Sequence, residues 1–189
     1  FVKGNPDAIL VVEFAEDEWK ENFKKLNNLQ DLLKGSEKNK HDNIVILEET
    51  HSQNRISEMR KSGLNIMMSM KSDAKPVSFV EDCAVPLSSL ADYTQGLNNI
   101  FEKYETSGTW YAHASVGCLH VRPILNMKSN NDVIKMRAIA EEAFELVKKF
   151  NGSHSGEHGD GISRSEFNPI MFGEKLTNAF RELKSLMDP

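Results

Sequence analysis

Cysteine, histidine and long apolar runs are all scarce in this 189-residue chain. Cys83 and Cys118 are the only two cysteines. Two thiols cannot build the disulfide framework of a small secreted domain, and an intracellular, reducing compartment is the simpler expectation. The longest apolar runs, Ala8–Val12 and Ile44–Leu47, fall far short of the roughly 20 residues a membrane-spanning helix needs. No basic segment precedes a long apolar one at the start, so no signal peptide is read there. The chain opens at Phe1 without an initiator Met and stops at Pro189 directly after a helical pattern. Both ends are expected to be cuts in a longer protein. A basic excess is also missing: Lys+Arg is 23 against 28 Asp+Glu, a formal charge of -5. That balance argues against a general nucleic-acid binder, which needs a basic face to neutralise phosphates. No Gly-rich dinucleotide or P-loop pattern opens a helix.

What is present fits a soluble globular domain, with 39% hydrophobic and 27% charged residues. Ala8–Ala15, Ile44–Glu48 and Val77–Ala84 are short, aliphatic segments that read as strands. Thr109–Ala114 and Leu119–Leu125 read as two strands around a Gly-containing turn. Between them lie predicted helices. Glu16–Lys34 places Trp19, Phe23, Leu26, Leu29 and Leu33 at helical spacing and ends at Gly35-Ser36. His51–Lys61 and Leu87–Tyr104 follow, while Gly63–Met70 carries no clear period. Asp132–Phe150 has a stripe of Val133, Met136, Ala140, Phe144 and Val147. Met171–Met187 is expected to turn Phe172, Leu176, Phe180, Leu183 and Met187 inward. Gly35–Asp42 and Asn151–Phe167 read as loops. Helices separated by lone strands predict an α+β fold, a ferredoxin-like antiparallel or mixed sheet with helices packed on it.

Four of the six histidines fall in two short segments. The first runs from His113 to His120. With a turn centred on Val116-Gly117, His113 should face His120 across a hairpin, with Cβ atoms about 4.5–5.5 Å apart. Two imidazoles so placed can share a divalent metal. Arg122, two residues on, should point to the same face. Cys118 is left out of that set as a small core residue. The second holds His154 and His158 and reads on from His154 as Ser155-Gly156-Glu157-His158-Gly159-Asp160-Gly161. Its glycines imply tight turns or close approach of a ligand. Glu157 can give a carboxylate oxygen to a metal, and an imidazole such as that of His158 can act as a base near neutral pH. A solvated Gly-rich loop fits the same local sequence.

Taken together and in this order, the two segments resemble the C-terminal cap domain of FAD-linked oxidases of the vanillyl-alcohol oxidase superfamily. That group includes D-lactate dehydrogenases, glycolate oxidase subunits and D-2-hydroxyglutarate dehydrogenases. The family shows His-x-Gly-Asp-Gly-Asn-x-His and then Gly-Glu-His-Gly; this chain has His113–His120 and Gly156-Glu157-His158-Gly159. The likeness extends through Lys75–Asp82, Cys83-Ala84-Val85-Pro86, Phe180–Lys184 and Asp188-Pro189, and is nearest to large bacterial members in which this unit precedes an iron–sulfur half.

The resemblance implies one cap domain over residues 1–189, with the FAD-binding domain elsewhere in the protein. It implies an FAD-dependent 2-hydroxy-acid dehydrogenase in the intact protein, and an inactive fragment that binds no FAD alone. His113, His120 and Glu157 would hold a divalent metal (zinc, manganese or iron), His158 would be the catalytic base, and Arg60 would hold the substrate carboxylate. Arg122 is a further candidate for that carboxylate, on spacing alone. Expected partners are a small 2-hydroxy acid, the flavin domain and an electron acceptor or iron–sulfur region. The expected setting is cytoplasmic, with peripheral membrane association open. The family's Gly-Asp-Gly-Asn is Ser115-Val116-Gly117-Cys118 here, and a lysine found in some members two residues before the strand aspartate is Val80. Those departures leave open a non-catalytic cap that links the flavin domain to iron–sulfur partners.

Overall fold

A computed structural model describes residues 5–34 and 44–189. The chain divides into two compact units, one up to Lys61 and one from Ser62 to Pro189.

In the first unit, helix α1 spans Trp19–Lys34 and helix α2 begins at Thr50. α1 buries none of its residues; Trp19 and Phe23, one turn apart, stack at 5.1 Å. The two strands expected here are not formed. Ala8–Ala15 pairs with no described strand and leaves Leu10 75% exposed, and the described residues 44–48 are likewise unpaired. An apolar run becomes a strand only when a ladder partner takes its N–H and C=O groups, and the described residues supply none. The expected helix end at Gly35-Ser36 and the Gly35–Asp42 loop lie outside the described residues, residue 35 to residue 43 being undescribed. α2 runs on to Met68, so the segment without a clear period is largely helical.

The second unit is built on a small antiparallel sheet. Strands β1 (Lys75–Pro76) and β2 (Cys83–Ala84) both pair with β4 (Cys118–Leu125), and so does β3 (Gly108–His113). Of the continuous strand expected over Val77–Ala84, only Cys83–Ala84 is a strand; residues 77–82 form the turn that joins it to β1, which lies just before the expected bounds. That turn carries Asp82 at φ 58°, a left-handed conformation that Asp tolerates better than most residues. Helices α3 (Leu90–Lys103) and α4 (Asn130–Lys149) pack on the sheet. They seal a core of Tyr93, Leu97, Phe101, Val121, Ile139, Phe144 and Val147. Each fully buried side chain of this kind contributes about 1.5–3 kcal/mol. α4 buries Ala140, Phe144 and Val147 of its expected stripe, but Val133 is exposed.

After α4, the Gly-rich segment is not all loop. It contains α5 (Gly161–Arg164) and a 3-10 turn over Ser165–Phe167. α6 (Asn168–Met187) closes the chain, interrupted at Gly173, where φ is 77°. α6 reaches the core through Met171 and buries Thr177. Phe172, Leu176, Phe180, Leu183 and Met187, expected to face inward, are exposed, Met187 at 74%.

Overall the chain is α+β, with an antiparallel sheet and helices against it. No described helix is long and apolar enough to cross a membrane.

Candidate metal and active site

The hairpin of β3 and β4 supplies two of the histidines, in a register other than the expected one. Ala114–Val116 forms a 3-10 turn closed by Gly117 at φ 70°. This lengthens the connection, so His113 pairs with Cys118, and His120 pairs with Tyr111. Residues two apart share a face of a strand. His113 and His120 are therefore diagonal rather than opposite neighbours, and their rings still meet edge to face at 5.1 Å. Tyr111 lies against both, at 5.7 Å from His113 and 5.9 Å from His120. Cys118 shares the alternation of His120 and Arg122. It is buried and sits 3.8 Å from the Asp82 carbonyl, and burial pushes its thiol up to about 11.

The segment after α4 brings the second set of groups. Ser153 exchanges two backbone hydrogen bonds with Ala84, at 2.9 and 2.8 Å, and the Gly156 amide donates to the Asp82 carbonyl at 2.8 Å. The segment thus lies directly on β2. A Cβ at Gly152 would come within 2.3 Å of the Ala84 carbonyl oxygen. Of the three glycines in Ser155–Gly161, Gly156 lies close to the protein's own strand, where a Cβ would come within 3.1 Å of the Asp82 carbonyl oxygen, while Gly159 and Gly161 take positive φ, as the expected tight turns require.

Glu157 then projects to the histidines. Its Oε2 lies 3.3 Å from Nε2 of His120, and its Oε1 lies 3.7 Å from Nε2 of His113. One ligand atom from each of His113, His120 and Glu157 falls within 4.8 Å of the others. Glu81, His120 and His158 form a second such group. His158 stacks on His120 at 5.3 Å, and its Nε2 is 3.8 Å from Glu157 Oε2.

Burial separates the roles these groups can take. His120 is 8% exposed. Its desolvation holds its pKa below the ordinary histidine value, outweighing the attraction of Glu157 and Glu81. It is therefore neutral near pH 7 and has a lone pair to offer. His113 and Glu157 are each 39% exposed, and His158 is 52% exposed, so the site opens to solvent on that side. Two imidazoles and a carboxylate form the donor set preferred by zinc and similar cations, and three protein ligands leave positions open. The Nδ1 of His120 is buried without a hydrogen-bond partner and faces Glu81 Oε1 at 3.6 Å, on the far side of the ring from Glu157.

The remaining predicted residues are placed differently. Arg122 is ion-paired with Glu81, and Glu81 also accepts from Ser78. Burial raises the Glu81 carboxyl, but Ser78, Arg122 and His120 together hold it below the usual carboxylate range. Arg122 thus reaches the site already partnered by an acid. Arg60 lies on α2 in the first unit. Sequence reasoning missed Glu81, Asp82, Tyr111 and Arg164. Glu81 and Asp82 belong to the stretch that carries the resemblance, and two adjacent acids at the start of a buried strand were a usable signal.

A small antiparallel sheet with packed helices thus presents a His/His/Glu cluster beside a further histidine in an α+β domain. Residues 2–189 match the family of FAD linked oxidases, C-terminal domain, and the chain belongs to that family. Among curated relatives, it is similar to a D-2-hydroxyglutarate dehydrogenase of Pantoea ananatis, 38% identical over 71% of this chain and 13% of that protein. It is 32% identical to one of Haemophilus influenzae over 95% of this chain and 18% of that protein. It is also 27% identical to the glycolate oxidase subunit GlcD of Bacillus subtilis over 71% of this chain and 28% of that protein. The chain thus spans between about an eighth and three tenths of these relatives' lengths.

Proposed function

We propose that this chain is the substrate-side cap of an FAD-dependent dehydrogenase that oxidises a 2-hydroxy acid of the D-lactate or D-2-hydroxyglutarate kind. The flavin domain, and an iron–sulfur or other electron acceptor, would be supplied by the rest of the protein or its partners. The observation that carries the reading is the convergence of His113, His120 and Glu157 within 4.8 Å, with His158 at its edge.

In this reading His113, His120 and Glu157 hold a divalent cation, which supplies a Lewis acid for the substrate hydroxyl when bound. FAD supplies the hydride acceptor for the α-carbon. His158 takes the hydroxyl proton on Nε2. The Asp82 carboxylate is 3.9 Å from Nδ1 of His158 and the Glu157 carboxylate is 3.8 Å from Nε2. Arg122 orients the substrate carboxylate while sharing its charge with Glu81, and Arg60 carries over to the same task from the resemblance.

The test is zinc titration and flavin reduction in the full-length protein, using D-2-hydroxyglutarate and D-lactate. Zinc bound tightly by the parent and lost in His113→Ala and His120→Ala, with reduction by one of the two acids, supports the reading. Zinc affinity that survives both substitutions overturns the ligand set, and reduction by neither acid overturns the substrate class.

A further inference from the structure

We infer that the buried pair Asp82–Arg164 is the positioning element that registers Glu157 and His158 against the strand histidines. This rests on the functional reading above.

The two halves of the site come from distant parts of the chain. His113 and His120 ride on a hairpin whose register is fixed by a ladder of backbone hydrogen bonds. Glu157 and His158 ride on an irregular segment that no ladder holds in place beyond Ser153 and Gly156. A single carboxylate makes up the difference. Asp82 is fully buried. Its Oδ2 accepts the Glu157 amide at 2.9 Å, the His158 amide at 2.7 Å and the Ser155 hydroxyl at 3.0 Å. Its Oδ1 accepts Nη1 of Arg164. The groups held are the amides of the two site residues themselves, not of neighbours.

Arg164 ties down the rest of the segment. Nη1 also donates to the carbonyls of Glu81 and, at 2.8 Å, His154; Nη2 donates to the Gly159 carbonyl at 2.6 Å. Ser155 Oγ in turn accepts the Gly159 amide at 2.7 Å. Burial raises the Asp82 carboxyl, but the His158 amide, Arg164, the Glu157 amide and Ser155 outweigh it and hold it below the usual range.

The arrangement needs an anion with two accepting oxygens. Successive N–H groups curled round one oxygen form an anion-binding nest. An asparagine in the same space keeps one oxygen. It can satisfy either the three donors of the segment or Arg164, and it turns an NH2 towards the other. The segment must then shift, and a displacement of about 1 Å at a reacting group can cost about 10²-fold in rate. Asp82 touches neither substrate nor metal, so its effect passes through Glu157 and His158.

The test uses the full-length protein and two variants, Asp82→Asn and Ser155→Ala, the second removing one donor from a partly exposed residue. Zinc affinity is measured by competition titration, and flavin reduction in a single turnover with D-2-hydroxyglutarate or D-lactate. Circular dichroism and melting establish which variants fold. In folded Asp82→Asn the zinc Kd should rise and the limiting reduction rate fall, each at least tenfold, with half-saturation by the acid within threefold of the parent. Ser155→Ala should move both quantities at least threefold. A merely structural carboxylate would lower the melting temperature alone. Folded Asp82→Asn with both quantities within threefold of the parent overturns the inference. If Asp82→Asn does not fold, Ser155→Ala decides: a change under threefold in both overturns it. Should the parent bind no zinc, the reduction rate alone decides. Should it neither bind zinc nor be reduced, the functional reading falls and the inference with it.

Discussion

Oε1 of Glu81 lies 3.6 Å from Nδ1 of His120, on the side of the ring opposite the Nε2 that meets Glu157. The acid stands behind the histidine, where it favours a proton on Nδ1 and leaves the Nε2 lone pair for a cation. Carboxylates behind metal-binding histidines typically carry about 10–100-fold in metal affinity. Glu81→Gln, close to isosteric, should therefore raise the zinc Kd of the full-length protein by about that factor. It should also release Arg122 from its ion pair. Competition titration with a chelator reads the affinity. An unchanged Kd would mean that Glu81 serves Arg122 alone.

The hairpin that carries His113 and His120 depends on Gly117. Its φ is 70°, and a Cβ built there would come within 2.0 Å of the Val85 carbonyl oxygen. The Gly117 carbonyl also accepts the Val85 amide at 3.0 Å, so the turn cannot simply move away. Gly117→Ala combines a strained backbone with a clash against main chain, a combination expected to cost on the order of 1–3 kcal/mol or more. The urea midpoint should fall accordingly. A midpoint within error of the parent would show that the turn relaxes freely, and the register of the hairpin would then need another explanation.

The sequence was most legible where one residue's neighbours in space are also its neighbours in sequence. The β3–β4 hairpin and α4 could be read from local pattern, whereas the grouping of the hairpin's histidines with the distant Glu157 came only from the family resemblance. The register could not, because Ala114–Val116 winds into a 3-10 turn and shifts the pairing from His113–His120 to His113–Cys118. The roles of Asp82 and Arg164 were hidden for a different reason. Their bond links residues 82 apart, and nothing local marks an acid that will be buried. Ala8–Ala15 shows the opposite failure: aliphatic composition alone does not supply the partner that makes a strand.

Stability should fall in two steps on acidification. His154 is fully buried, 4.7 Å from Phe144, with both ring nitrogens lacking a hydrogen-bond partner. Burial pushes its pKa down, and this outweighs the pull of Asp160, 3.5 Å from Nδ1; His120 shifts the same way. Below the unfolded value of about 6.5 the unfolded chain binds protons that the folded chain refuses, so stability is full above that pH and is lost as pH falls towards the folded values. Asp82 and Glu81 also lie low in the folded state. Their contribution is present above the unfolded values of about 4 and disappears as pH falls through the folded ones. Urea midpoints between pH 8 and 3 should show both steps. His154→Phe should weaken the upper step and leave the lower one intact. A flat midpoint between pH 7 and 5 would contradict the burial of uncharged histidine.

In the proposed reading His158 is the catalytic base. It is 52% exposed, so a change there should cost the fold within about 0.5 kcal/mol. A base placed on the substrate hydroxyl is worth typically 10²–10⁴-fold, or about 3–5 kcal/mol in the barrier. The two readings of this histidine therefore separate by orders of magnitude in one measurement. In the full-length protein, His158→Asn should slow single-turnover flavin reduction by at least about 10²-fold while its melting temperature stays near that of the parent. Single turnover isolates hydride transfer from later electron transfer. A rate within about threefold of the parent, equivalent to only about 0.65 kcal/mol, would remove His158 as the base. The cluster of His113, His120 and Glu157 could then still hold a cation, but the proton would have to leave the hydroxyl by another route, and a cap without catalytic duties would become the better account of this domain.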